Sequence, residues 1–316
     1  MTFADKKAIF DKNNPVTDSA IVNFKGVNGF DVYNCSIPFE WQGKRYIYGR
    51  VEHREDWARS WVRLFVEVEP DVFSLVKDSM IYQLEDPYVS VICGELILGG
   101  THVRYSRGEM DSLYAYFYKG KDIENMYYFT TGPDNMKDIR LVQLENGIGV
   151  FSRPRGPEVE KEYGSGSIVG FTIIDNILEL DADIISKAKK IDSMFASGEW
   201  GGCNQCYLLD TGLLGIIGHK SYKSDDMVEL DVYVNVSFVF DPKTHQILDE
   251  KIIATRASYP PGPAKKPNLA DCVFTSGIVM RIDGRFDLYS GLGDTQTGRA
   301  VINYPFQGFG SIVTPL

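Results

Sequence analysis

Two adjacent carboxylates, Glu85 and Asp86, stand in the segment YQLEDPYVSV, with Pro87 behind them and a strand-like run beginning at once. Acids before a proline are common turn formers, because proline fixes φ and carboxylates accept from nearby amides. An acid at the mouth of a strand can equally hand a proton to a leaving group. Five further polar clusters follow or interrupt apolar runs. They are Arg50, Glu52, His53, Arg54 and Glu55 in YGRVEHRED; His102, Arg104 and Arg107 in GTHVRYSRGE; Arg153 and Arg155 in FSRPRGPE; His219 and Lys220 in IGHKSY; and Asp294 with Arg299 in YSGLGDTQTGR. Taken singly, each has a plain structural reading. A charged run is a solvated face, and one Gly-x-Gly without a following helix is only a turn. Taken together, they fit strands that all feed one funnel. Arginine forks suit phosphate, while carboxylates, amides and aromatic faces such as Trp41, Trp57, Trp61 and Trp200 suit a sugar.

The elements that must position these groups are overwhelmingly strands. Runs such as RYIYGRV, SWVRLFVEV, SLYAYFYK, SIVGFTII and ELDVYVNVSFVF are rich in Val, Ile, Tyr and Phe and are bounded by turn residues. WQGKRYIY, VICGELIL, ENGIGVF, DTGLLGI and IDGRFDLY each place a glycine between two such runs, the mark of a tight hairpin. Five hairpin units over 316 residues predict an all-β, five-bladed propeller forming a single domain, 1–316. One helix is expected, over 182–196, with Ile184, Ile185, Ala188, Ile191 and Phe195 at helical spacing. The segment YPPGPAKKPN, 259–268, reads as a loop between blades.

A formal net charge of −10 argues against a nucleic-acid partner, whose domain would need a basic face. It leaves room for a small anionic ligand at a few focused arginines. No signal-peptide core and no run of about 18 apolar residues is present, so a cytoplasmic chain with no membrane partner is expected. Five scattered cysteines give no disulfide framework, and Cys203-x-x-Cys206 has no second pair, so no metal site is expected. Walker, Rossmann and nucleophile-elbow motifs are absent.

In their order along the chain, from NCSIPFEWQGKRYIYGRVE to CVFTSGIVMRIDGRFDLYSGLGD, these blocks resemble those of glycoside hydrolase family 130, the β-mannoside phosphorylases. They resemble still more the related glycosyltransferase family 108 of β-1,2-mannan mannosyltransferase/phosphorylases, and a bacterial domain family long left uncharacterised. The resemblance implies a five-bladed propeller and an inverting phosphorylase on β-mannosides, reversible with mannose 1-phosphate, or a nucleotide-mannose, as donor. Inorganic phosphate would be the co-substrate, with no cofactor, and a mannooligosaccharide the partner. In the family a Glu-Asp-Pro-Arg motif carries the catalytic acid, which puts that role on Asp86; Tyr88 stands where arginine is usual. Arg50, Glu52, Arg104, Arg153, Arg155, His219, Lys220 and Asp294 become the candidates to bind phosphate or mannose. One acid suffices for a phosphorylase, since phosphate is already an anionic nucleophile; a hydrolase needs a second carboxylate. A β-mannoside hydrolase of the same fold and a non-catalytic glycan-binding propeller remain the alternatives.

Overall fold

The computed structural model describes residues 1–13, 15–107, 109–224 and 229–313. The chain is mostly β: three four-stranded antiparallel sheets and a nine-stranded sheet that divides, at one parallel pairing, into two antiparallel units, five units in all. The first contains Asp31–Tyr33, Lys44–Glu52, Trp61–Glu69 and Val72–Leu75, with short Phe39–Trp41 hooked onto Lys44–Glu52. The second runs Glu85–Ile92, Glu95–Ser106, Glu109–Gly120 and Tyr127–Thr131. The third is Arg140–Gln143, Ile148–Ser152, Gly170–Ile174 and Lys189–Lys190, and the fourth Glu199–Leu208, Leu214–Lys223, Asp231–Asp241 and Gln246–Ala254. The fifth joins Val273–Met280, Phe286–Leu292 and Gln296–Ile302 to the N-terminal strand Ser19–Lys25. That last strand pairs antiparallel with Gln296–Ile302, through Ser19↔Ala300, and parallel with the first unit, through Asn23↔Val72. The two chain ends are thereby tied by backbone hydrogen bonds.

Turn chemistry explains the hairpins. Gln42 and Gly43 both take positive φ (50° and 71°), as do Cys93 and Gly94 (51° and 77°). Two consecutive left-handed residues make a two-residue turn whose twist matches the flanking strands, and glycine takes its place at low cost.

The core lies in the seams between neighbouring units. Ile37, Tyr48, Leu64, Val89 and Leu98 pack the first against the second. Tyr88, Ile97, Phe117, Leu141 and Val150 join the second to the third, and Phe151, Phe171 and Phe240 the third to the fourth. Strands buried on both faces need apolar residues at nearly every position, which is why the strand runs read as continuous hydrophobic stretches.

The expected single helix over 182–196 is corrected. A helix spans only Ala182–Ser186, capped by the Asp181 side chain accepting from the Ile184 amide at 2.8 Å. The chain then pairs Lys189–Lys190 with Gly170–Phe171, completing the third sheet, and sends Ile191 and Met194 into the seam. Edge pairing and burial outweigh the helical pattern there. Two helices escaped the sequence reading, Phe3–Asn13 and Pro157–Tyr163; the second starts on a proline, whose fixed φ and missing N–H suit a first turn.

Tyr88 belongs to this core, not to a ligand pocket. Its ring lies so close to Gly99 that a Cβ there would come within 2.1 Å of it, and the Arg140 guanidinium sits 4.4 Å from the ring centre on another side. Replacing Gly99 by alanine should overpack this site and cost roughly 1–3 kcal/mol. Urea unfolding monitored by fluorescence checks it.

Candidate active site

At the mouths of three edge strands stands a polar residue in the left-handed backbone region: Asn34 (φ 45°), Asp86 (φ 47°) and Asp138 (φ 57°). Asn and Asp tolerate that region better than other side chains. Around Asp86 the ladder slips register between Glu85 and Tyr88, and Pro87 has no amide to offer it. The resulting bulge turns the Asp86 side chain out of the sheet, a common use of bulges beside active sites. Similar slips at Cys203/Gln205 and Thr275/Gly277 leave Asn204 and Ser276 out of register in the fourth and fifth units.

A cavity of about 1180 Å³ opens over these strand mouths, lined among others by Asn34, Arg50, Glu85, Asp86, Lys137, Arg153, Arg155, His219, Tyr233 and Asp294. One side of it is acidic. The Arg50 guanidinium, buried, donates to Asp86 Oδ1 at 2.9 Å and to Glu85 Oε1 at 3.0 Å, and lies 3.4 Å from Glu52. Asn34 Nδ2 donates to Asp86 Oδ1 at 2.9 Å and to Asp294 Oδ1 at 3.4 Å, bridging the two acids. Lys137 Nζ stands 3.7 Å from the other Asp86 oxygen. Burial pushes the Glu85 carboxyl up, with Arg50 pulling back and Asp86 adding to the rise. Burial likewise raises Asp294, against Arg50 and with Asp86.

The opposite side is basic. Arg153 donates from Nη1 to Asp138 at 2.7 Å and from Nε to the Gly201 carbonyl at 2.5 Å. Burial opposes ionisation of Asp138, but Arg153, Lys137 and Arg140 hold its carboxyl well below the usual range. His219 is buried between Tyr233 and Phe274, with ring centres 5.6 and 4.9 Å away, and its Nδ1 meets Asn204 Oδ1 at 2.7 Å. Burial and the nearby Arg153 push its pKa well down, so the ring is neutral at pH 7. With Nδ1–H donating to Asn204, Nε2 carries a lone pair; that nitrogen is buried and has no partner in the protein. Among the described residues the Arg155 side chain makes no ion pair or hydrogen bond, and it is exposed at the cavity. Its guanidinium is left for a ligand.

Of the sequence candidates, Arg50, Asp86, Arg153, Arg155, His219 and Asp294 thus share one cavity. Three do not line it. Glu52 is sealed behind Arg50, hydrogen-bonded by Tyr33 and Lys265 and by the Arg59 amide at 2.9 Å. Burial opposes its charge, but Arg50, Lys265 and Tyr33 keep it below the ordinary carboxylate range. Lys220 follows His219 on one strand, so the two side chains point to opposite faces. It pairs with Glu199 at 2.9 Å and Glu250 at 3.1 Å over the Phe3 ring. Arg104 is exposed, paired with Asp111 and clear of the cavity. The sequence reading missed Asn34, Lys137, Asp138 and Tyr233 as part of the site. A signal existed: Asp86 follows Asn34 by 52 residues and Asp138 follows Asp86 by another 52. Among the described residues no group of three or more His, Cys, Asp and Glu side chains is placed to hold a metal ion.

A multi-unit β fold whose strand mouths divide one cavity into an acidic and a basic side is built for a sugar bond and an anion, and defines a carbohydrate-active enzyme. The chain belongs to the family described as "Protein of unknown function (DUF1861)", whose model matches residues 8–308. It is 51% identical to MPT-4, a mannose phosphorylase from Leishmania mexicana solved in complex with phosphate ion, over 99% of this chain and 96% of that one, with a TM-score of 0.94. It is 44% identical to MPT-1, a GDP-Man-dependent mannosyltransferase from Leishmania mexicana, over 99% and 98% of the two chains, with a TM-score of 0.92. A structure from the GH130 family of mannoside phosphorylases, 13% identical over 95% of this chain and 97% of that one at a TM-score of 0.59, shares the fold. No curated protein matches the chain. The resemblance carried by the sequence blocks therefore holds.

Removing the Asp138 carboxylate leaves buried Arg153 unpaired, so Asp138→Asn should cost about 3–5 kcal/mol at pH 7. A carboxyl whose folded pKa is depressed contributes stability above its unfolded value, here 3.8, and loses it as pH falls through the folded value. The difference between wild type and variant should accordingly stay constant from pH 7 to about pH 4 and shrink only below that. Denaturant unfolding at several pH values measures it.

Proposed function

We propose that this chain is an inverting phosphorylase of β-mannosides, reversible with mannose 1-phosphate, on a closed five-bladed propeller that forms one domain. The observation that carries the reading is the division of one cavity between Asp86 and Asp294, bridged by Asn34, and the partner-free Arg155 beside Arg153, Lys137 and His219. The two Leishmania relatives, a mannose phosphorylase and a GDP-Man-dependent mannosyltransferase, support mannose as the sugar and phosphate or a nucleotide diphosphate as the anion.

In the degradative direction Asp86 gives its proton, through a hydroxyl of the mannose ring, to the glycosidic oxygen. The bond to the anomeric carbon breaks, its electron pair leaves with that oxygen, and a phosphate oxygen closes on the opposite face. Arg155 and Lys137 hold the phosphate, Arg153 adds its positive field, and the His219 Nε2 lone pair accepts from a substrate hydroxyl. Asp294 and Asn34 orient the mannose ring. In the synthetic direction Asp86 takes the acceptor's proton. Arg50 and Asn34 donate to its Oδ1 and fix the orientation of the carboxyl, with Lys137 3.7 Å from the other oxygen. A nucleotide-mannose donor places its phosphate in the same basic half.

A hydrolase of the same fold would need a second carboxylate to activate water. Asp294 is tied to Asp86 through one Asn34 nitrogen, at 2.9 and 3.4 Å, and so belongs to the same acidic side as the acid. Glu52 has no access to the cavity.

Two variants test the assignment. Asp86→Asn should lower kcat for phosphorolysis by about 10²–10⁴-fold, with binding of the sugar retained; near-normal turnover would remove Asp86 from the mechanism. Arg155→Ala breaks no side-chain hydrogen bond or ion pair among the described residues, so it should fold as wild type and raise the KM for phosphate about tenfold or more. An unchanged phosphate KM would place the anion elsewhere.

A further inference from the structure

A second cavity, of about 490 Å³, lies between the first and second units and shares Ala58, Glu85 and Val103 with the main one. Residues 57 and 58 form a sill between the two. Tyr105 fixes that sill, its hydroxyl lying 2.8 Å from the Trp57 carbonyl and 2.9 Å from that of Ala58. The volume is within the range of small-ligand sites.

Its lining carries an unexplained polar group. Ser60 is 5% exposed, and its Oγ is buried without a partner. A buried hydroxyl with no partner is costly and uncommon in a native protein, and one facing a cavity is commonly satisfied by a ligand or water. The Gln83 side chain also makes no hydrogen bond among the described residues, and Trp61 lines the same space with its indole partly exposed. Hydroxyl, amide and aromatic face together suit a neutral pyranose, which offers hydroxyls on its edge and C–H groups on its face. Arg59, the cation of the lining, lies over the Tyr105 ring at 5.4 Å and makes no ion pair among the described residues, so its guanidinium can donate to a sugar hydroxyl.

We infer that this side cavity is a second saccharide subsite, which holds a further hexose residue of the same mannooligosaccharide whose scissile bond lies at Asp86. The glycan crosses the sill at residues 57 and 58 on its way between the two. The inference rests on the phosphorylase reading for the identity of the chain that crosses.

The test compares phosphorolysis of β-mannooligosaccharides of two and four residues by wild type, Gln83→Trp and Ser60→Ala. Wild type should show a higher kcat/KM for the tetrasaccharide. Gln83→Trp, which fills the cavity from its exposed rim, should abolish that gain and leave the disaccharide rate unchanged. Ser60→Ala should cut the gain about fivefold while the melting temperature stays level or rises, because an unsatisfied buried hydroxyl has been removed. No length gain in wild type, a gain intact in Gln83→Trp, or equal losses for both lengths would overturn the subsite. If wild type turns over neither sugar, the phosphorylase reading fails on its own account. Calorimetric titration of tetrasaccharide into wild type and Gln83→Trp then decides the subsite: weaker binding to the variant supports it, and equal affinity overturns it.

Discussion

The buried guanidinium of Arg50 is the interaction on which the rest of the site depends. Four carboxylates crowd one corner of the fold: Glu52, Glu85 and Asp86 are buried, and Asp294 stands half-buried beside them. Like charges so close cannot all be held without compensation, and a buried charge without a partner costs several kcal/mol. Arg50 answers three of them directly, Lys265 neutralises Glu52 from behind, and Lys137 approaches Asp86 from the basic side. The arrangement locks Asp86 in a single geometry, because its strained backbone, its bulge and its two hydrogen-bond donors leave it little freedom. Preorganisation of this kind lets an acid act without reorganising its surroundings as charge moves.

The same economy shapes the basic half. Arg153 is consumed by Asp138 and the Gly201 carbonyl, so it shapes the pocket and supplies field. Arg155 carries the uncommitted charge, kept accessible on the segment between Arg153 and the short helix Pro157–Tyr163. His219, desolvated and neutral, offers an acceptor where a charged ring would only add to the positive wall. A ligand that is anionic at one end and hydroxyl-rich at the other meets complementary groups along the whole cavity.

Much of this was legible in the sequence, and the limits have physical causes. Strand identity followed from apolar runs and glycine turns, since both are local properties. Asp86, Arg153 and His219 were readable because each stands at the edge of an apolar run. Glu52 and Lys220 fall outside the cavity because sequence gives a side chain's neighbours along the strand but neither its face nor its distant partners. Lys220 lies one position from His219 and so emerges on the other side of the sheet. Glu52 keeps the face of Arg50 two positions on, but Lys265, more than two hundred residues away, seals it from the cavity. Arg104 sits far enough out along its strand to reach solvent. The helix over 182–196 failed because pairing with Gly170–Phe171, invisible to local pattern, claimed its second half. Asn34, Lys137 and Asp138 lay hidden in a spacing that only a repeat of strand units makes meaningful.

On our proposal one acid and one anion pocket cleave a β-mannoside by phosphate with inversion. Proton and phosphorus NMR of a β-mannobiose incubated with the protein reads this out. α-Mannose 1-phosphate should be the first sugar product, formed only when phosphate is present and in step with its concentration. Free mannose released at the same rate without phosphate, or a β-configured sugar phosphate, would contradict it.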